Sequence, residues 1–205
     1  MKKGSLIVVS GPSGAGKGTI CKELLQIQKN ISLSISATTR SPREGEVDGK
    51  NYFFVDKDFF EKEISQDGFL EYAKVFDNYY GTPKKYVLDQ INDGNNVLLE
   101  IDVQGALQVK KKYPEALLVF ILPPSMKELK NRITTRGTES QEAIDKRFKS
   151  AIEEIEYVKE YDYYIINDEV EKAVCRIINI IKAHKYKVTK DIEKIILKFK
   201  EECSC

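Results

Sequence analysis

The sequence predicts an α/β protein in which a parallel sheet carries helices on both faces. Two observations support this: apolar runs rich in β-branched residues recur along the chain, and each is followed by a helical pattern. The third is size. At 205 residues the chain suits one α/β unit, long enough to bury roughly 70% of the surface its unfolded form would expose.

The first run, Leu6-Ile7-Val8-Val9, ends in a glycine-rich turn and feeds a helix expected from Thr19 to about Gln28. Further runs at Val97-Leu98-Leu99-Glu100-Ile101, Leu117 to Leu122 and Tyr163-Tyr164-Ile165-Ile166 read as strands of the same sheet. They give a core of residues 1–36, 87–124 and 160–184. Between Ser36 and Tyr86 the composition turns to Gly, Arg, aromatic and charged residues, with short strands expected near Tyr52 to Val55 and Phe69 to Phe76. Residues 37–86 are therefore assigned to an inserted mixed α/β subdomain. Residues 125–159 are charged and helical, interrupted from Thr134 to Glu139, where Gly137 suits a helix end; this reads as a mobile helical lid. Helical spacing resumes through Val174, Ile177, Ile178 and Ile181, then Ile192, Ile195, Ile196 and Phe199. Residues 185–205 form a C-terminal helical tail whose charged end, with Cys203 and Cys205, is expected to be disordered with exposed thiols.

Thirty-three basic and thirty-two acidic residues leave a net charge of +1, so no nucleic-acid or membrane partner is expected and any anion site must be built locally. The apolar stretch near the N-terminus is too short for a signal-peptide core or a membrane span, which predicts a cytoplasmic protein, monomeric or homo-oligomeric. Cys21, Cys175, Cys203 and Cys205 show no CxxC spacing, so neither a disulfide framework nor a zinc site follows.

Gly11-Pro12-Ser13-Gly14-Ala15-Gly16-Lys17-Gly18-Thr19 lies between the first strand and the first helix, the context a nucleotide phosphate loop requires. Glycines let backbone N–H groups turn inward around phosphates, the helix N-terminus adds positive potential, and Lys17 can reach the β- and γ-phosphates of ATP. The fold expected is thus the P-loop NTPase type, three layers with the parallel sheet in the middle. Gly18 stands where the general pattern has a Ser or Thr hydroxyl for Mg²⁺. Gly-Lys-Gly-Thr resembles the form in nucleoside monophosphate kinases, which implies Mg²⁺ held mainly by ATP phosphates and water, with no protein metal ligand assigned. The loop alone leaves GTPases, shikimate-type kinases and ATPases open, although no Asn-Lys-x-Asp guanine reader is present.

The acceptor side is read from Ser34 to Tyr52. Arg40 and Arg43 are separated by Ser41 and Pro42, and two guanidinium forks so placed suit a phosphate dianion, with the Tyr52 and Tyr80 hydroxyls completing it. A solvated turn with ordinary surface arginines fits the same residues. Thr38-Thr39-Arg40-x-Pro-Arg43-x-Gly45-Glu46-x-x-Gly49-x-x-Tyr52 closely resembles the GMP-binding signature of the guanylate kinase family. Phe69-Leu70-Glu71-Tyr72-Ala73, Asn78-Tyr79-Tyr80-Gly81-Thr82, Ile101-Asp102-Val103-Gln104-Gly105, Arg136-Gly137-Thr138-Glu139 and Ile166-Asn167-Asp168 extend the resemblance over about residues 4 to 184.

The resemblance implies transfer of a phosphoryl group from ATP to GMP. It assigns Ser36, Glu71, Thr82 and Asp102, beside Gly81, to the guanine and its surroundings, and Arg40, Arg43, Tyr52 and Tyr80 to the GMP phosphate. It places the lid arginines Arg132, Arg136 and Arg147 with Lys17 and Arg40 over the transferring group. Glu128, Glu139 and Glu142 lie close enough in sequence to pair with those arginines on helix surfaces, so both readings stand at this point. The histidine at position 184 reads as a surface or packing residue. Two other functions remain open: a catalytically silent peptide-binding relative, against which the intact Lys17 and arginines weigh, and a kinase for AMP or a pyrimidine nucleotide, against which Glu71 and Ser36 weigh.

Overall fold

The structure is a computed structural model that describes residues 3–75, 77–134, 141–188 and 192–203. Strand β1 (Leu6–Ser10) is buried along its whole length, and its side chains alternate between two apolar layers. Ile7 and Val9 pack with α1 (Lys17–Ile27) and α7 (Val170–His184), whereas Leu6 and Val8 pack with α3 (Lys84–Asn92) and α4 (Val103–Lys112). The neighbouring strands β7 (Asn96–Glu100) and β8 (Leu117–Leu122) repeat the split: Leu98 and Val119 lie on the first side, Leu99 and Leu118 on the second. Burial on both faces is why these strands read as unbroken apolar runs rather than as alternating ones.

Among the described residues the strands form two sheets. The five-stranded sheet has the order β2-β7-β1-β8-β9, with β2 (Ile31–Leu33) and β9 (Tyr163–Ile166) at its edges and every pairing parallel. The winding reverses about β1, and the carboxyl ends of the strands at such a point are the usual ligand position in an open sheet. Helix α1 begins at Lys17, two residues earlier than expected, because Gly16 takes a left-handed conformation and turns the loop directly into the helix.

The four-stranded sheet has the order β4-β3-β6-β5 and comprises β3 (Ala37–Thr38), β4 (Phe53–Phe54), β5 (Phe69–Val75) and β6 (Asn78–Pro83). Strands β4 and β5 were expected; β3, β6 and helix α2 (Lys57–Ser65) were not. Phe76, at the expected end of β5, lies outside the described residues. This unit has its own aromatic centre, in which the Phe60 ring stacks on Phe69 at 4.2 Å and on Tyr79 at 5.2 Å. It is moored to the main sheet through α4. Gln108 accepts from Tyr72 N–H and donates to Tyr72 C=O, both at 3.1 Å, and Lys112 Nζ donates to Phe69 C=O at 2.7 Å.

The segment expected to form a lid contains α5 (Met126–Thr134) and α6 (Gln141–Ile155), followed by a 3-10 turn over Glu156–Glu160. Leu129, Ile133, Ile144 and Ala151 form its separate apolar cluster. The expected helix end at Gly137, together with Arg136, lies outside the described residues. As far as Glu202 the charged end is helical rather than disordered. Its apolar residues at helical spacing form α8 (Ile192–Glu202), none of which is buried. Cys21 is buried, Cys175 and Cys203 are exposed free thiols, and Cys205 lies outside the described residues. No helix among the described residues is long and apolar enough to cross a membrane.

Candidate active site

Residues Gly11 to Gly16 join β1 to α1 as the sequence predicted. Gly16 has φ +93°, and a Cβ there would fall 2.4 Å from Asn167 Nδ2; glycine satisfies both the conformation and the close approach. Buried Asn167, just after β9, donates to Ala15 C=O at 2.8 Å and so ties the loop to the edge of the sheet. No side chain caps α1, which leaves the N–H groups of its first turn for an anion. Lys17 Nζ folds back to donate to Gly11 C=O at 2.6 Å and to Pro12 C=O at 3.2 Å. Burial lowers the Lys17 pKa, while the carboxylates of Glu154, Glu100 and Asp102 act in the opposite sense. The ammonium therefore sits between the loop and three acidic groups.

Beside the loop lies a cleft of about 510 Å³, lined by Gly14, Gly16, Thr19, Arg132, Asn167 and Asp168 among others. Arg132 reaches it from α5: Nε donates to Glu128 at 2.9 Å, Nη1 to Ala15 C=O at 3.5 Å and Nη2 to Asn167 C=O at 3.4 Å. The pairing with Glu128 and the approach to the loop thus coexist. Arg147 of α6 donates from Nη2 to Ser13 Oγ at 2.8 Å, which places this arginine against the loop. Gly18 lacks a hydroxyl, and a Cβ on it would fall 3.3 Å from Glu100 Oε1. A carboxylate raised in pKa by burial, against the pull of Lys17, thereby stands where the general phosphate loop carries its metal-facing hydroxyl. With the exposed Thr19 hydroxyl nearby in sequence, that donor set fits a hydrated cation held chiefly by phosphates.

On the acceptor side, Arg40 follows β3 and grips Glu46 through both arms of its fork, Nη1 to Oε2 at 2.8 Å and Nη2 to Oε1 at 2.9 Å. Glu46 also accepts from Arg43 N–H at 2.8 Å. The Arg40 hydrogen bond, with that of Arg43, holds the Glu46 carboxyl down to about 2. The Arg40 guanidinium lies 5.3 Å from the Tyr52 ring centroid, with the Tyr80 hydroxyl beside it, and the two tyrosine rings meet edge to face at 6.1 Å. Arg40, Tyr52 and Tyr80 are therefore brought together, whereas Arg43 is exposed.

Of the guanine-assigned residues, Glu71 and Asp102 meet beside Gly105. The β5–β6 register slips between Phe69, opposite Pro83, and Glu71, opposite Thr82; such an irregularity re-aims a side chain. Glu71 is consequently 8% exposed and accepts from Thr82 Oγ1 at 2.5 Å. A Cβ on Gly105 would fall 3.1 Å from Glu71 Oε2 and 3.4 Å from Asp102 Oδ1, so both carboxylates border the same point. Asp102 also caps α4 by accepting from Gly105 N–H at 2.7 Å. Burial pushes the Glu71 carboxyl above the ordinary range, opposed by the hydrogen bond from Thr82, with Asp102 adding to the rise. Ser36 immediately precedes β3, whose Ala37 pairs with Gly81 in antiparallel sense.

A guanylate kinase family profile matches residues 3–184. The chain belongs to the guanylate kinase family. It is 60% identical over 201 residues to the guanylate kinase of Caldanaerobacter subterraneus subsp. tengcongensis, covering 98% of this chain and 97% of that one. It is also 60% identical over 195 residues to that of Clostridium acetobutylicum, covering 95% and 93%. Among solved structures, the guanylate kinase of Anaplasma phagocytophilum superposes with a TM-score of 0.70 at 37% identity, over 92% of this chain and 89% of that one. The chain is accordingly an enzyme, a nucleoside monophosphate kinase that phosphorylates GMP.

Several residues that build the site escaped the sequence reading. Glu46 was visible within the arginine motif, but nothing in the sequence marked it as the partner of Arg40. Gln108, Glu100 and Glu154 are ordinary residues in strand or helix patterns, and only the tertiary structure brings them to β5, Gly18 and the phosphate loop.

Proposed function

We propose the following division of labour for the transfer from ATP to GMP. Gly11 to Thr19 hold the ATP phosphates, Lys17 spans the β- and γ-oxygens, and the cleft bordered by Arg132, Asn167 and Asp168 takes the nucleoside end. Arg40, Arg43, Tyr52 and Tyr80 hold the GMP phosphate; Ser36, Glu71, Gly81, Thr82 and Asp102 receive the guanine. Arg132, Arg136 and Arg147 neutralise charge on the transferring group. The observation that carries this reading is the buried Glu71 carboxylate, hydrogen-bonded by Thr82 and bordered by Gly105, on the acceptor side of an intact phosphate loop.

The chemistry follows from those positions. A GMP phosphate oxygen forms the new bond to the γ-phosphorus while the bond to the departing ADP oxygen breaks. That acceptor oxygen is already anionic, so no strong base is required and the protein's work is alignment and charge stabilisation. When bound, Mg²⁺ supplies positive charge to the phosphates; Glu100 and Thr19 are the chain's groups proposed to face its water shell. The ion pair with Glu46 holds the Arg40 guanidinium in place, and its five N–H donors leave others to face the phosphate.

Guanine presents N1–H and N2–H donors to Glu71, whereas adenine presents an acceptor at N1. A site built for such hydrogen bonds can reject the mismatched base by about 10⁴ or more. Because dGMP carries the same base and phosphate, it is proposed as a second acceptor. The reaction belongs to purine nucleotide metabolism and GMP recycling, and the enzyme is placed in the cytoplasm without a nucleic-acid or membrane partner. Glu71→Gln tests the assignment: the GMP KM rises by about 10² while the ATP KM stays within about twofold, and an unchanged GMP KM would remove Glu71 from the base site.

A further inference from the structure

At the amino ends of the main-sheet strands, the other end of β1 from the phosphate loop, lies a cavity of about 500 Å³. It is walled by the segment entering β1, the turn before β7, Tyr113 and Glu115 after α4, and the end of α7. The first two of these are locked together. Asn96 accepts from Ser5 N–H at 3.0 Å and donates to Asn30 C=O at 3.2 Å, and a Cβ on Gly4 would fall 1.8 Å from the Asn95 carbonyl oxygen. Around this fixed wall three ammonium groups, on Lys3, Lys185 and Lys187, stand against the single carboxylate of Glu115. Positive charge is thus concentrated here in a chain whose net charge is only +1. Lysines often serve to offset the carbonyl ends of helices, and α3 and α7 both end here. Those carbonyls already have backbone partners: Ile91 C=O accepts from Gly4 N–H at 2.8 Å and Gly94 N–H at 3.0 Å, Ala183 C=O from Tyr186 N–H at 3.0 Å and His184 C=O from Lys187 N–H at 3.1 Å. Among the described residues no ion pair engages the three lysines either. His184 belongs to the same wall, and its Nδ1 is buried without a hydrogen-bond partner, a state that native proteins seldom leave unanswered.

We propose that this cavity is a second anion site, built for a phosphate-bearing small molecule and separate from the sites for ATP and GMP. Its size suits a ligand as large as a nucleotide. Its chemistry favours phosphate over carboxylate: several ammonium point charges around one hollow match a multiply charged anion, and no arginine among the described lining residues offers the planar fork that a carboxylate fits. Burial lowers the His184 pKa, with Lys187 adding to the fall, against Asp162 and a hydrogen bond with the Glu115 backbone. The imidazole is therefore neutral at neutral pH and takes up a proton when negative charge enters beside it. The site stands on these contacts alone and does not depend on the kinase reading.

The test is a pyrophosphate titration of the full chain, with the phosphate loop and acceptor pocket saturated by a non-hydrolysable ATP analogue and GMP, followed by NMR of the imidazole. His184 is the chain's one histidine, so its ring signal reports on this cavity. The signal is expected to shift saturably, with half-saturation below about 1 mM, and the midpoint of its pH titration is expected to rise with pyrophosphate bound. Lys3 and Lys187 are exposed, so Lys3→Ala combined with Lys187→Ala should fold; it should weaken pyrophosphate by about tenfold and keep GMP turnover within about twofold. Should that pair fail to fold, Lys185→Ala carries the same expectation at about threefold. A shift that only grows in proportion to pyrophosphate, one that the lysine variants leave unchanged, or half-saturation by citrate at the same concentration would overturn the phosphate site. Phosphoryl transfer is measured separately in the same samples, so its loss would count against the kinase reading and not against this one.

Discussion

Lys17 donates to two carbonyls of its own loop, at Gly11 and Pro12, which holds its ammonium beside the loop's N–H groups. Among the described residues the acceptor pocket acts on it only through the field of Asp102. Lys17→Ala should therefore lower turnover by about 10³ or more and leave GMP affinity within about twofold in equilibrium binding; a large loss of GMP affinity would contradict the division of roles. Glu71 carries a pH signature. Burial raises its pKa above the ordinary glutamate range, so on acidification it takes up a proton sooner than a surface glutamate would. Its neutral form presents a donor towards guanine N1–H. The GMP KM should rise as pH falls, beginning above the usual carboxylate range, and the rise should vanish in Glu71→Gln. A wild-type profile flat down to about pH 4.5 would show that the carboxylate is not needed. Glu71 was legible because its motif resembles a known family; Glu154 was not, since a glutamate on a charged lid helix looks like surface until Ser13 is brought against it.

Strand β5 shows how an element sets a site. Its register slip turns Glu71 inward, and Gln108 on α4 pins the next residue, Tyr72, through both backbone groups. Gln108→Ala removes the partner of a backbone N–H and of a C=O, so urea unfolding should show a loss of about 1–3 kcal/mol with a raised GMP KM; no change in either would free β5 from that mooring. Helix α8 is the opposite case. It buries none of its residues, so truncation after Lys187 should leave the melting temperature within about 2 °C, and a larger drop would mean that the helix supports the fold. The strands of the main sheet were legible because two-sided burial demands apolar runs. Strand β3, two residues long, is too short to show a period and exists through pairing with its neighbours. The Asp56 cap of α2 was present in the sequence, its carboxylate accepting from Phe59 N–H at 2.6 Å, but the aromatic run after it gave no clean helical stripe.

At the scale of the molecule, a rigid parallel sheet carries two smaller units with cores of their own, the insert around Phe60 and the lid around Leu129 and Ile133. Separate cores permit each unit to move as a body against the sheet. The insert, about residues 37–86, and the lid, about residues 125–159, are proposed to close only when both nucleotides are present, which keeps water from accepting the phosphoryl group. Small-angle scattering should show compaction on adding GMP with a non-hydrolysable ATP analogue, and an unchanged radius of gyration would rule the closure out. Composition shifts along the chain suggested these segments, but the contact of Arg147 with Ser13 was not legible there. The central claim is an ATP-dependent kinase that selects guanine through Glu71. The most direct test is a coupled assay of ADP release with ATP, Mg²⁺ and each of GMP, AMP, CMP, UMP and dTMP in turn. Release with GMP alone is the predicted result; release with another of these nucleotides, or with none, would contradict the account.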